Sequence, residues 1–167
     1  KTLTHTIKRK LMPMDESARH QAIVLFAQAQ DADAMGESKR ALDLARKAHS
    51  QLPDFSPAAA LAGRLHGAAG EARKARRLLQ TAWRTSPHPD LLAAWLEMHP
   101  TDEPEDRLDA VQKLVAEMAD DPESRRAVAR AALEAGEYDQ ARVQLKALME
   151  QAPSANAARL IADMEEA

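Results

Sequence analysis

The chain has 167 residues, a formal net charge of −3 and no cysteine, which removes disulfides, thiolate metal sites and a cysteine nucleophile from consideration. Alanine fills 36 positions and aromatics only 3% of the chain, so the composition favours helix throughout and argues against a sheet-based enzyme fold. The charge balance offers no basic field for nucleic acid, and no apolar run approaches the roughly 20 residues that a bilayer crossing needs.

Taken in chain order, Lys1–Met12 carries Leu3, Ile7 and Leu11 on one helical face and stops at Pro13, which reads as the last helix of a truncated preceding unit (1–13). The chain starts without an initiator Met or a secretory segment, so it is expected to be part of a longer protein. A long helix over Asp15–Met35 is expected to pair with Glu37–Leu52, and Ser56–Ala69 with Glu71–Thr85. The third unit is irregular, with a short helix at Asp90–His99, a loop over Pro100–Pro104 and a partner helix at Glu105–Ala119. Glu123–Ala135 then pairs with Tyr138–Gln151, and 154–167 caps the last pair. The repeat domain therefore covers 14–167, in units of about 15–53, 54–87, 88–122 and 123–153.

The glycines and prolines set this division. Gly36 and Gly70 are 34 residues apart, as are Pro53 and Pro87, and each of Gly36, Gly70 and Gly136 precedes a proline (Pro53, Pro87, Pro153) by 17 residues. Asp121-Pro122 restarts the spacing 35 residues after Pro87. Five residues after each glycine stands an alanine: Ala41, Ala75 and Ala141. A glycine can end a helix in the left-handed region, an alanine lets two helices approach closely, and a proline forbids continuation. Gly63, seven residues before Gly70, fits the same pattern. Helix, tight turn, helix and proline at this period is the tetratricopeptide (TPR) pattern. The expected fold class is all-α: a TPR-like α-solenoid of antiparallel helix pairs wound as a right-handed superhelix. The bulky aromatic that the pattern usually carries early in the first helix is replaced by Ala59 and Arg125.

Further segments carry a closer likeness. Leu52-Pro53-Asp54-Phe55-Ser56-Pro57-Ala58-Ala59, Ala82-Trp83-Arg84-Thr85-Ser86-Pro87-His88-Pro89-Asp90-Leu91, Glu103-Pro104-Glu105-Asp106-Arg107-Leu108, Asp121-Pro122-Glu123-Ser124-Arg125 and the terminal Ile161-Ala162-Asp163-Met164-Glu165-Glu166-Ala167 resemble the HemY proteins of alphaproteobacteria. The resemblance extends from about Ala18 onward. It implies the TPR portion of a bacterial inner-membrane protein linked to haem biosynthesis, with a membrane anchor upstream of Lys1 and this portion soluble and facing the cytoplasm.

No catalytic set emerges. Among His5, His20, His49, His66, His88 and His99 no pair has the i, i+4 spacing of helical metal ligands, and Cys-x-x-Cys-His is absent, so no metal site is expected. A lone axial haem ligand at His66 or His99 is the outside alternative to an ordinary surface or half-buried imidazole. Asp102, Glu103, Glu105 and Asp106 read as loop and helix-start acids rather than a calcium site. The basic runs Arg73-Lys74-Ala75-Arg76-Arg77 and Lys8-Arg9-Lys10 read as solvated helix faces, with contact to anionic lipid the alternative.

In a stacked array the first helix of each pair lines the concave side. Ten residues before each turn marker come Phe26, Ala60, Trp95 and Arg126, and six before come Gln30, Arg64, His99 and Arg130, with the third marker set at Glu105 by counting 17 back from Pro122. The expected partner-binding groove is thus Phe26, Gln30, Arg64, Trp95, His99, Arg126 and Arg130. Arginines and aromatics suit an acidic or C-terminal peptide segment, and equally tetrapyrrole propionates. The expected function is a non-enzymatic protein–protein interaction scaffold with protein or peptide partners, including enzymes of haem synthesis. The alternative is a haem or porphyrin carrier using the same groove.

Overall fold

The computed structural model describes residues 2–101, 103–151, 159 and 162, with side chains from residue 16 onward. Among these the protein is helical: α1 (Thr2–Ala34), α2 (Ser38–Gln51), α3 (Ser56–Ala68), α4 (Ala72–Thr85), α5 (Pro89–Glu97), α6 (Pro104–Val115), α7 (Pro122–Glu134) and α8 (Tyr138–Gln151). A 3-10 turn at Ala116–Met118 extends α6. Each helix packs on its successor, and α3 also packs on α5, so the helix pairs stack into an α-solenoid.

The turns follow from single residues. Gly36, Gly70 and Gly136 adopt φ of 75°, 76° and 73°, and the following Glu37, Glu71 and Glu137 donate their backbone N–H to Ala32, His66 and Ala132 at 2.9, 2.9 and 2.8 Å. With the glycine N–H bonded to Asp33, Gly67 and Leu133, each turn satisfies the orphan carbonyls of the helix it ends. Ala41, Ala75 and Ala141 are fully buried where the two helices of a pair meet. At Gly63 a Cβ would lie 2.6 Å from Leu79 Cδ2, so glycine is what allows α3 to settle on α4. Pro53 and Pro87 follow the last residues of α2 and α4, whereas Pro122 opens α7, where the Asp121 carboxylate accepts from the Glu123 N–H at 2.8 Å.

Two helix boundaries differ from expectation. The stop expected at Pro13 is absent: a proline deprives a helix of one hydrogen bond and bends it, and α1 continues across that loss from Thr2 to Ala34. The 3-10 turn takes up the tail of the helix expected to reach Ala119. Pro153 and the capping helix expected over 154–167 lie outside the described residues, Arg159 and Ala162 excepted. No described helix is long and apolar enough to cross a membrane.

Helix α3 contributes to two clusters of the core. This helix gives Leu61, Ala62 and Leu65 to a cluster with Ala29, Ala32, Ala41 and Ala45, and Ala59 and Ala60 to a larger one reaching Ala127, Val128 and Ala141. Both tryptophans sit in the larger cluster. The Trp95 indole N–H donates to the Ala110 carbonyl at 2.8 Å, joining α5 to α6, and the Trp83 N–H donates to the Ser124 hydroxyl at 3.0 Å, joining α4 to α7. These bonds brace the third pair, whose helices are joined by a loop without a left-handed glycine.

Candidate functional site

Phe26, Ala60 and Ala93 occupy corresponding places on α1, α3 and α5, as do Gln30, Arg64 and Glu97, and together they face one cleft of about 490 Å³. Ala34, Pro57, Leu61 and Ala94 complete its apolar lining, and Asp33 and Asp90 its polar lining. Phe26 is held edge-on by Phe55, with ring centroids 5.2 Å apart at 83°. Arg64 donates to Asp33 at 3.3 Å, bridging α3 and α1. A second recess of about 400 Å³ opens beside Arg64 and Glu97 and is closed by Gly67, Met98 and Pro100.

Of the residues expected in the groove, the cleft brings together Phe26, Gln30 and Arg64. Trp95 is 2% exposed, facing the core instead, and the His99 ring lies over it at 4.8 Å with Nδ1 2.9 Å from the Trp95 carbonyl. The displacement is one of register. Counting back from Pro122 puts the third marker two residues too late, and two residues turn a helix by about 200°, from the cleft face to the core face. The residues that stand in those two places are Ala93 and Glu97. On α7, which lies beyond the three helices that line this cleft, Arg126 is half-buried and held by Glu123 of the same helix, and Arg130 is exposed.

Asp33, Asp90 and Glu97 are cleft residues that the sequence reading missed. Asp33 follows Gln30 by one turn and so shares its face, a signal that the i, i+3 rule supplies. Asp90 and Glu97 become visible only once the register of α5 is known. Their effect reverses the expected electrostatics. The cleft has three carboxylates and one arginine, and that arginine already holds one of the three.

Away from the cleft, the carboxyl of Glu71 is held below its ordinary range by hydrogen bonds from Lys74 and His66. Burial pushes the His49 imidazole below its ordinary value. Arg73, Lys74, Arg76 and Arg77 are exposed on α4 while Ala75 and Leu79 are buried, the arrangement expected of the basic run. Among the described residues no group of three or more His, Asp or Glu side chains is placed to hold a metal ion.

No family model matches the chain, and no curated protein matches it. Among solved structures, one similar chain is YrrB, described as a TPR protein with an unusual peptide-binding site. It is 22% identical, with 90% of this chain aligned to 81% of that one and a TM-score of 0.44. The assignment to a solenoid of helix pairs rests on the turns and packing described above.

Proposed function

We propose that the protein is a non-enzymatic interaction scaffold whose cleft between α1, α3 and α5 holds an extended segment of a partner protein that is basic and apolar rather than acidic. The observation that carries this reading is the charge of the cleft: Asp90 and Glu97 have no cation opposite them in any ion pair among the described residues except His88 beside Asp90 at 3.7 Å, while Arg64 is engaged by Asp33. A lysine or arginine of the partner would meet these carboxylates, and a neighbouring apolar side chain would pack on Phe26, Ala60 and Ala93.

The likeness of the Trp83–Leu91 and Glu103–Leu108 segments to HemY proteins supports a finer placement, as the TPR part of a membrane-anchored protein that gathers partners of haem biosynthesis at the bacterial inner membrane. Between scaffold and porphyrin carrier, the carboxylates disfavour the carrier, since propionates would face like charge. A peptide array of apolar decamers in which Lys or Asp is scanned through each position tests the reading. Lysine-bearing peptides are expected to bind, and the Asp90→Asn/Glu97→Gln variant is expected to lose about tenfold in affinity, the worth of two exposed charge pairs. Preference for the aspartate peptides, or binding unchanged in the variant, would overturn it.

A further inference from the structure

On the side of the second helices, α2 and α4 leave a recess of about 390 Å³ lined by Arg46, His66, Lys74, Arg77, Leu78 and Thr81. Lys74, Arg77, Leu78 and Thr81 recur at helical spacing, so a single stripe of α4 faces it; Arg46 comes from α2 and His66 from the end of α3. Several of the protein's cations are neutralised by a nearby carboxylate: Arg40 by Glu37 at 2.8 Å, Lys47 by Asp43 at 2.7 Å, Arg84 by Glu117 at 2.9 Å and Arg142 by Asp139 at 2.9 Å. At the recess Glu71 is shared between Lys74 and His66, each at 2.6 Å, and no ion pair among the described residues engages Arg46 or Arg77. Two arginines from different helices therefore converge with a lysine on a concavity where they repel one another and where one carboxylate leaves an excess of positive charge.

We propose that this recess binds the phosphate group of a phosphate monoester. Arg46 and Arg77 donate to its oxygens from two helices, Lys74 adds a third charge, the Thr81 hydroxyl can donate as well, and Leu78 offers an apolar surface to the esterified carbon. The recess is larger than bare phosphate fills, which favours an ester over the free ion. His66, 7% exposed, is fixed from behind: a carboxylate only accepts, so the Glu71 contact places the ring hydrogen on Nδ1 and orients the imidazole at the recess wall.

The same chemistry can come from a soluble ester or from a lipid headgroup, and two probes separate them. The full chain is titrated calorimetrically with glycerol 3-phosphate, and floated with phosphatidylcholine vesicles with or without phosphatidic acid. Saturable binding to the soluble ester assigns the first source, and binding to the phosphatidic acid vesicles alone assigns the second. In either case Arg46→Gln/Arg77→Gln is expected to weaken binding about tenfold, while Arg73→Gln/Arg76→Gln, which removes equal charge from α4 outside the recess, changes it less than about twofold. Circular dichroism and melting midpoint establish that both variants are folded. Binding to neither probe, or equal weakening in the two variants, would overturn the proposal.

Discussion

Gly63 and Gly70 are a few residues apart and are glycine for unrelated reasons. Gly70 has open space around its missing Cβ but a φ of 76°, whereas Gly63 is helical and faces Leu79 at 2.6 Å. Alanine at 63 gains about 1 kcal/mol of helix propensity but forces apart a packed pair at a cost of about 1–3 kcal/mol. Gly63→Ala is therefore expected to lower stability in urea titrations by about 1 kcal/mol, and to become neutral or stabilising in a Leu79→Ala background where the space is free. A loss of equal size in both backgrounds would remove Leu79 as the cause. The glycine turns were legible in the sequence because their chemistry is local, a left-handed turn being decided by the residue that makes it; a helix stop is not, since α1 crosses Pro13. Gly36, Gly70 and Gly136 accordingly mark turns where they were expected.

At the scale of the element, the third pair shows where that legibility ended. With no glycine between α5 and α6, the phase of α5 is set by packing, and a two-residue error in counting exchanged Ala93 and Glu97 for Trp95 and His99. The cleft's shape could be anticipated from the repeat, but its charge could not, because Asp90 and Glu97 enter only when the helix is turned correctly. The long-range bond between Trp83 and Ser124 was equally invisible, since it joins residues 41 apart through contacts that no periodicity encodes. Ser124 is fully buried, so Trp83→Phe leaves its hydroxyl without that partner and is expected to cost about 1–3 kcal/mol by chemical denaturation. Adding Ser124→Ala should recover part of that loss. A double variant no more stable than Trp83→Phe would show that the indole's bulk, not its N–H, is what matters.

Across the whole molecule, most packing is between consecutive helices, so stability is distributed along a line rather than around a centre. Leu148 is fully buried on α8, the last helix of the described residues. Leu148→Ala is expected to cost about 2–5 kcal/mol locally. Hydrogen exchange should then show lost protection in α7 and α8 with α1–α3 unchanged; a uniform loss over α1–α8 would mean that the stack unfolds as one unit.

The three walls of the Phe26–Ala60–Ala93 cleft belong to three separate hairpins, each packed on the next. Whatever lies across all three acts as a crosspiece along a structure that otherwise holds itself together link by link. Occupancy would therefore be felt as stiffness: the hairpins it spans would open together instead of singly, and a partner arriving at one end of the array would find the other end already set.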